Sequence, residues 1–271
     1  MAKKIVVTSG KGGVGKTTVT VNVGISLAQL GCSVALIDAD FGLNNLDVVL
    51  GVENKVIFDI VDVIEGRCRL KQALIQSDRY KNLFVLPSGN GDFSSTISGQ
   101  NIKLIVEQMN STFDYIFIDC PAGIDLGFHR AVSCADSAIV VATPNLTSLR
   151  DADKVVTVLK SYQLNSVDLV VNRVRGDLIM SEKMMLPQDV QKLLKTNLLG
   201  VLPEEDAVFL STGYALPRRS DSFRAYKILA NNIYKNTRKV FDTTNKYSGF
   251  FGSIRRSIKK SIWKKSTKII C

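Results

Sequence analysis

Along this chain the hydrophobic positions come in blocks. Runs such as Ile5-Val6-Val7, Val34-Ala35-Leu36-Ile37 and Tyr115-Ile116-Phe117-Ile118 are nearly continuous in apolar residues. That is the form of strands buried on both faces. The pattern predicts strands at 5–8, 34–37, 83–86, 115–119, 138–142, 169–172 and 199–202. Stretches with helical spacing lie between them, and they predict helices over 17–30, 99–109, 148–162 and 222–241. Such alternation predicts an α/β fold: a mainly parallel, twisted sheet flanked by helices on both faces. Ligands of such folds gather at the carboxyl ends of the strands. A chain of 271 residues, 45% of them hydrophobic, is suited to one domain of this kind.

Charge adds a second region. The net charge is +10, and the eight basic residues from Lys246 onward, with no acid after Asp242, account for +8 of it. The chain therefore divides into a domain at 1–245 and a basic tail at 246–271. Laid out as a helix, the tail gathers Phe250, Phe251, Ile254, Ile258 and Ile262 within an arc of about 120°, with Arg255, Arg256, Lys259 and Lys260 outside it. Trp263 falls off that arc. An apolar stripe with basic flanks fits a helix lying in an anionic membrane surface. A tail made only for nucleic acid has no use for the isoleucines. No apolar run reaches the ~18 residues of a membrane span. The five cysteines form no C-x-x-C pair, as in a reduced intracellular protein whose thiols pack in the core. Cys271 is terminal and cannot form a prenylation box. The chain enters its first strand within four residues, so no signal or transit peptide is expected. His129 is the single histidine, which leaves no His-based metal site or catalytic triad.

The chemistry concentrates at Ser9–Thr18, S-G-K-G-G-V-G-K-T-T. Gly10, Gly15, Lys16 and Thr17 satisfy G-x-x-x-x-G-K-[ST], between a strand and a helix as a phosphate loop requires. Amides of the stretch from Gly10 through Gly12, Gly13, Val14 and Gly15 to Thr18 turn inward on phosphate oxygens, aided by the helix N-terminus. Lys16 is expected on the β- and γ-phosphates and the Thr17 hydroxyl on Mg²⁺. Asp119 ends an apolar strand, as a Walker B carboxylate does. Pro121-Ala122-Gly123 then supplies a switch-like turn. Asp38 and Asp40 end another strand. A single acid there is an ordinary turn residue; three acids on two strands beside a phosphate loop favour a Mg²⁺–nucleotide site.

Lys11 is one lysine more than the loop needs. With it, G-K-G-G-V-G-K-T-T resembles the deviant Walker A motif of the MinD/ParA ATPases. Residues 38–47 (D-A-D-F-G-L-N-N-L-D), 119–123, 148–153 and 199–204 extend the likeness from residue 3 to about 241, toward the septum-site-determining branch of that family. The resemblance implies an ATPase that uses ATP and Mg²⁺ and pairs as a homodimer in the ATP state. Lys11, Lys16 and Asp40 would carry catalysis: Lys11 reaching the other subunit's phosphates, Asp40 orienting the attacking water. Asp38 would help hold the metal's waters or Lys16. Asn172 would read the adenine edge, with Pro203 also in the nucleotide pocket, and no N-K-x-D guanine motif is present. ATP would close the dimer and pair two marginal tails on the membrane. A MinC-like inhibitor and a MinE-like activator would bind near Arg150, Asp151 and Asp153. No specific nucleic acid is expected. The tail is longer and more basic than the bacterial pattern. The setting implied is the cytoplasmic face of a bacterial inner membrane or the stromal side of a plastid envelope, where a plastid-encoded protein fits an Ile-, Lys- and Asn-rich composition. Two other readings stay open: a ParA-type DNA partition ATPase, and an iron–sulfur carrier, the latter disfavoured by the missing C-x-x-C.

Overall fold

A computed structural model describes residues 1–41, 45–89, 97–211 and 215–249, with Gly252 and Ser257 beyond them. Phe250, Phe251, Ile254, Ile258 and Ile262 lie outside the described residues. The strands are β1 (Lys3–Thr8), β2 (Val34–Asp38), β3 (Ile75–Gln76), β4 (Leu83–Leu86), β5 (Tyr115–Asp119), β6 (Ser137–Ala142), β7 (Ser166–Val174) and β8 (Asn197–Pro203). They form one sheet in the order β3-β4-β2-β5-β1-β6-β7-β8. The β3–β4 pair is antiparallel and the other pairs are parallel. The helices are α1 (Lys16–Gln29), α2 (Leu46–Leu50), α3 (Ile60–Ile64), α4 (Leu70–Ala73), α5 (Gly99–Met109), α6 (Leu126–Val132), α7 (Leu146–Leu159), α8 (Gly176–Ile179), α9 (Pro187–Leu194), α10 (Asp206–Leu210) and α11 (Asp221–Lys235).

Strand alternation sorts the sheet's side chains into two cores. On β1, Ile5 and Val7 join the core that holds Leu27 of α1 and Leu229 of α11. Val6 points the other way, into the core with Ile105 of α5 and Val156 of α7. Each aliphatic side chain buried this way stabilises the fold by roughly 1.5–3 kcal/mol. With both faces covered, β2 and β5 are buried at every position. That explains their lack of polar alternation.

The pattern reading misses β3, whose two residues are too short to show a period. It also runs the last helix six residues too far. Asn236 takes a left-handed conformation (φ 52°, ψ 46°) and ends α11 at Lys235. The side chain of Asn232 then organises the reversal. Its amide donates to the carbonyls of Leu199 (2.8 Å) and Lys239, and its oxygen accepts from the Thr237 hydroxyl (2.8 Å). The chain runs back up the sheet from there. Arg238 pairs with Asp168 at the start of β7 (3.1 Å), and Thr243 lies against Gly176 just beyond the end of β7. Tyr247 is buried. This returning strap brings the root of the basic tail to the carboxyl edge of the sheet.

Candidate nucleotide site

The phosphate loop links β1 to α1 at the centre of the sheet, where strand order reverses. Helices α5, α7 and α11 each begin with a side chain, Ser98, Asn145 and Ser220, that accepts from an amide in the first turn. Helix α1 has no such cap and no acid in its first turn. Its leading N–H groups are thus left for an anion, with the positive end of the helix dipole behind them. Its N-cap, Gly15, has φ 98°, and a Cβ there would lie 2.5 Å from Nδ2 of Asn172. Lys16 is buried at the base of this cradle, whereas Gly12 and Gly13 are exposed and Val14 is buried. Thr18 opens the first turn of the helix half-exposed.

Beside the cradle stand the carboxylates. Thr17 donates its hydroxyl to one oxygen of Asp119 (2.6 Å), and Thr20 donates to the other (3.1 Å). No motif singles out Thr20; its spacing of three residues from Thr17, one helical turn, is the sequence signal of its role. Asp38 stands opposite Asp119 in the β2–β5 register. Burial first, and then the neighbouring Asp119, push the Asp38 carboxyl up to about 7. Burial likewise lifts Asp119 to about 6, against the hydrogen bond from Thr17 and the charge of Lys16. Asp38 accepts from the backbone amides of Asp40, Asn45 and Leu46, at 3.0 to 3.2 Å, so it fastens the loop that follows β2. Asp40 is half-buried. Burial raises its carboxyl, Lys16 lowers it, and Asp125 raises it again.

Asn172 donates its amide to the Val14 carbonyl (2.7 Å) and so braces the phosphate loop from β7. The strand breaks register there, and Arg173 beside it takes φ 56°. Pro203 is buried at the end of β8, and the amide of Glu204 donates to the Val174 carbonyl (3.1 Å). The switch-like turn is tied in as well, since the Gly123 amide donates to the Ser9 carbonyl (3.0 Å). Gly10 packs against the backbone of α7 at Asp151 and Ala152. Arg150 and Asp153 on that helix are exposed, and Asp151 pairs with Lys154 (3.4 Å). Lys11 is exposed, five residues from the buried Lys16. Cys120 is fully buried, and burial pushes its thiol well up, as befits an inert core residue. Among the described residues no three His, Cys, Asp or Glu side chains cluster as a metal cage. No helix among them is long and apolar enough to cross a membrane.

This combination of an uncapped helix, a buried lysine and a hydroxyl on a strand-end carboxylate has known counterparts. An AAA-domain family profile matches residues 2–172. A putative septum site-determining protein MinD of Guillardia theta is 46% identical over 217 residues, spanning 80% of this chain and 81% of that one. The chain belongs to the MinD/ParA family. Within the family it is similar to solved MinD structures. The MinC:MinD cell division complex of Aquifex aeolicus aligns with a TM-score of 0.81 at 39% identity, over 87% of this chain and 97% of that one. MinD complexed with Mg-ADP from Pyrococcus horikoshii aligns with a TM-score of 0.79 at 30% identity, again over 87% and 97%. Membership makes the chain a P-loop nucleotide hydrolase, and its function is placement of the division site.

Proposed function

We propose that the chain hydrolyses ATP to ADP and phosphate with Mg²⁺, as a homodimer that pairs two tails on an anionic membrane to position the septum. The observation that carries this is the bare N-terminus of α1 beside Lys16 and the Thr17–Asp119 pair. Hydroxyl and carboxylate oxygens held 2.6 Å apart are the hard donors Mg²⁺ prefers, with phosphates and water completing its shell. When bound, the ion offsets charge on the β- and γ-phosphates. The residues do the rest. Loop amides and Lys16 hold the phosphates. Asp40, half-buried and facing the field of Lys16, orients the attacking water. Lys11, exposed, reaches the phosphates of the partner subunit, as an arginine finger does in trans. Asn172 and Pro203 hold the base end, and Asp38 holds the loop that carries Asp40.

Residues 1–245 form the switch and 246–271 the membrane element, by way of Phe250, Phe251, Ile254, Ile258 and Ile262. Since Gly10 lies against the α7 backbone at Asp151, the loop and the exposed Arg150 and Asp153 form one packed unit. That unit suits a nucleotide-dependent site for a MinC-like inhibitor and a MinE-like activator. The protein would sit peripherally, on a bacterial inner membrane or a plastid inner envelope. Co-sedimentation with phosphatidylglycerol vesicles and with duplex DNA, each in ATP and in ADP, tests this. Vesicle binding that needs ATP is expected. Binding to DNA alone would move the chain to the partition branch of the family.

A further inference from the structure

The charge of this protein is not confined to its tail. Residues 1–206 carry 20 basic and 23 acidic side chains, but residues 207–245 carry seven basic ones and two acids, Asp221 and Asp242. Both acids are engaged. Asp242 accepts from the amide and hydroxyl of Thr244, and Asp221 pairs with Lys246 and Arg224. Five of the seven basic groups of this segment lie on α11 or on the turn that leads into it. Arg224, Lys227 and Lys235 follow one another along the exposed stripe of α11 at spacings of three and eight residues, over about 17 Å of helix. Arg218 and Arg219 are exposed on the turn just before the helix. That turn is fixed by the Ser220 amide and hydroxyl, which both donate to the Pro217 carbonyl (2.9 and 2.8 Å).

The strap places the tail's root beside this stripe, because Lys246 is held on Asp221 at the first turn of α11. A lipid surface that captured the tail would therefore lie next to Arg218 and Arg219. We propose that the Arg218–Arg219 turn and the outer stripe of α11 are a second membrane-contacting surface, on the folded domain itself, which takes anionic lipid headgroups once the tail has engaged. The inference rests on the membrane reading of the tail. Its physical basis is range. Lysine and arginine gain from an anionic leaflet within about 10 Å of it and hardly at all beyond. A tail that swings freely would leave these charges in solution; a tail rooted at Asp221 does not. Tethering also makes the second contact intramolecular, so weak individual charges suffice. The surface would fix how the domain faces the membrane, a thing a tail by itself does not do.

The test uses the full chain with Arg218→Gln, Arg219→Gln, Lys227→Gln and Lys235→Gln combined. ATP-dependent dimerisation by sizing chromatography and vesicle-free ATPase should match wild type. Affinity for phosphatidylglycerol-rich vesicles in ATP should fall about tenfold, with a shallower dependence on salt. Equal vesicle affinity in the two proteins overturns the inference and leaves the tail reading standing. A wild type that ignores vesicles in ATP sinks the tail reading first, and this one with it. If the variant keeps vesicle binding and loses retention of duplex DNA, the surface is a nucleic-acid one and the inference is wrong.

Discussion

The two ends of the functional apparatus are built on opposite principles. At the nucleotide edge the polar groups are inside and answered: Thr17 and Thr20 on Asp119, three backbone amides on Asp38, Asn172 on Val14. Among residues 207–249 the basic side chains are outside, and the segment itself carries two acids, Asp221 and Asp242, with Arg238 reaching back to Asp168. One region is organised before its ligand arrives, and such preorganisation is what phosphoryl transfer needs. The other is a field awaiting a surface. Coupling between them has to pass through something rigid, and the strap from Thr237 to Tyr247 is the covalent and packed connection.

The largest effect should come from removing the cation inside the cradle. Lys16→Ala should weaken ATP binding by about thirtyfold or more in a fluorescent-nucleotide titration, since a buried charge pair lost from one side costs roughly 2–5 kcal/mol. Near-normal affinity would mean the loop is not the phosphate site. Next comes Asp40→Ala, expected to bind ATP normally and to hydrolyse it about a hundredfold or more slowly. Single-turnover kinetics separates the two. A loss of binding instead would make Asp40 part of the cradle, beside Asp119.

Those sites were readable because their chemistry is local. Strand, glycines, lysine and threonine are contiguous in sequence, and an apolar run ending in Asp119 announces itself. The parallel sheet was legible for the same reason, since strands buried on both faces leave continuous apolar runs. What escaped depends on distant partners or on one residue's backbone. The hydrogen bond from Asn172 to Val14 joins residues far apart in the chain. The stop at Asn236 comes from a left-handed turn inside a pattern that goes on looking helical. The basic stripe of α11 is hidden in the sequence, because charges that share a helix face are spread out along the chain.

The strap offers a milder perturbation. A Cβ at Gly176 would sit 1.9 Å from the Thr243 carbonyl oxygen. Gly176→Ala should therefore lift the strap, cost about 1–3 kcal/mol and lower the melting temperature by several degrees, with ATP affinity preserved. An unchanged melting curve would show that the strap does not pack as described. The smallest effect concerns pH. Asp38 and Asp119 titrate at about 7 and about 6 in the folded chain, above the ordinary carboxylate value, so the nucleotide-free fold holds more protons than the unfolded chain in between. Their contribution to stability is full below about pH 4 and is lost as pH rises toward 7. Thermal unfolding of wild type against Asp38→Asn should show the wild type's relative advantage shrinking from pH 5 to pH 7.5. An advantage that grows over that range would contradict the assignment.

In the proposed cycle the exposed Lys11 ties ATP to the membrane by closing the dimer. Vesicle sedimentation of Lys11→Ala in ATP, with sizing chromatography on the same samples, tests that link. The variant should bind nucleotide through Lys16, stay monomeric, and gain no vesicle binding from ATP although its tail is untouched. A Lys11→Ala protein that attaches to vesicles in ATP as wild type does would contradict that link.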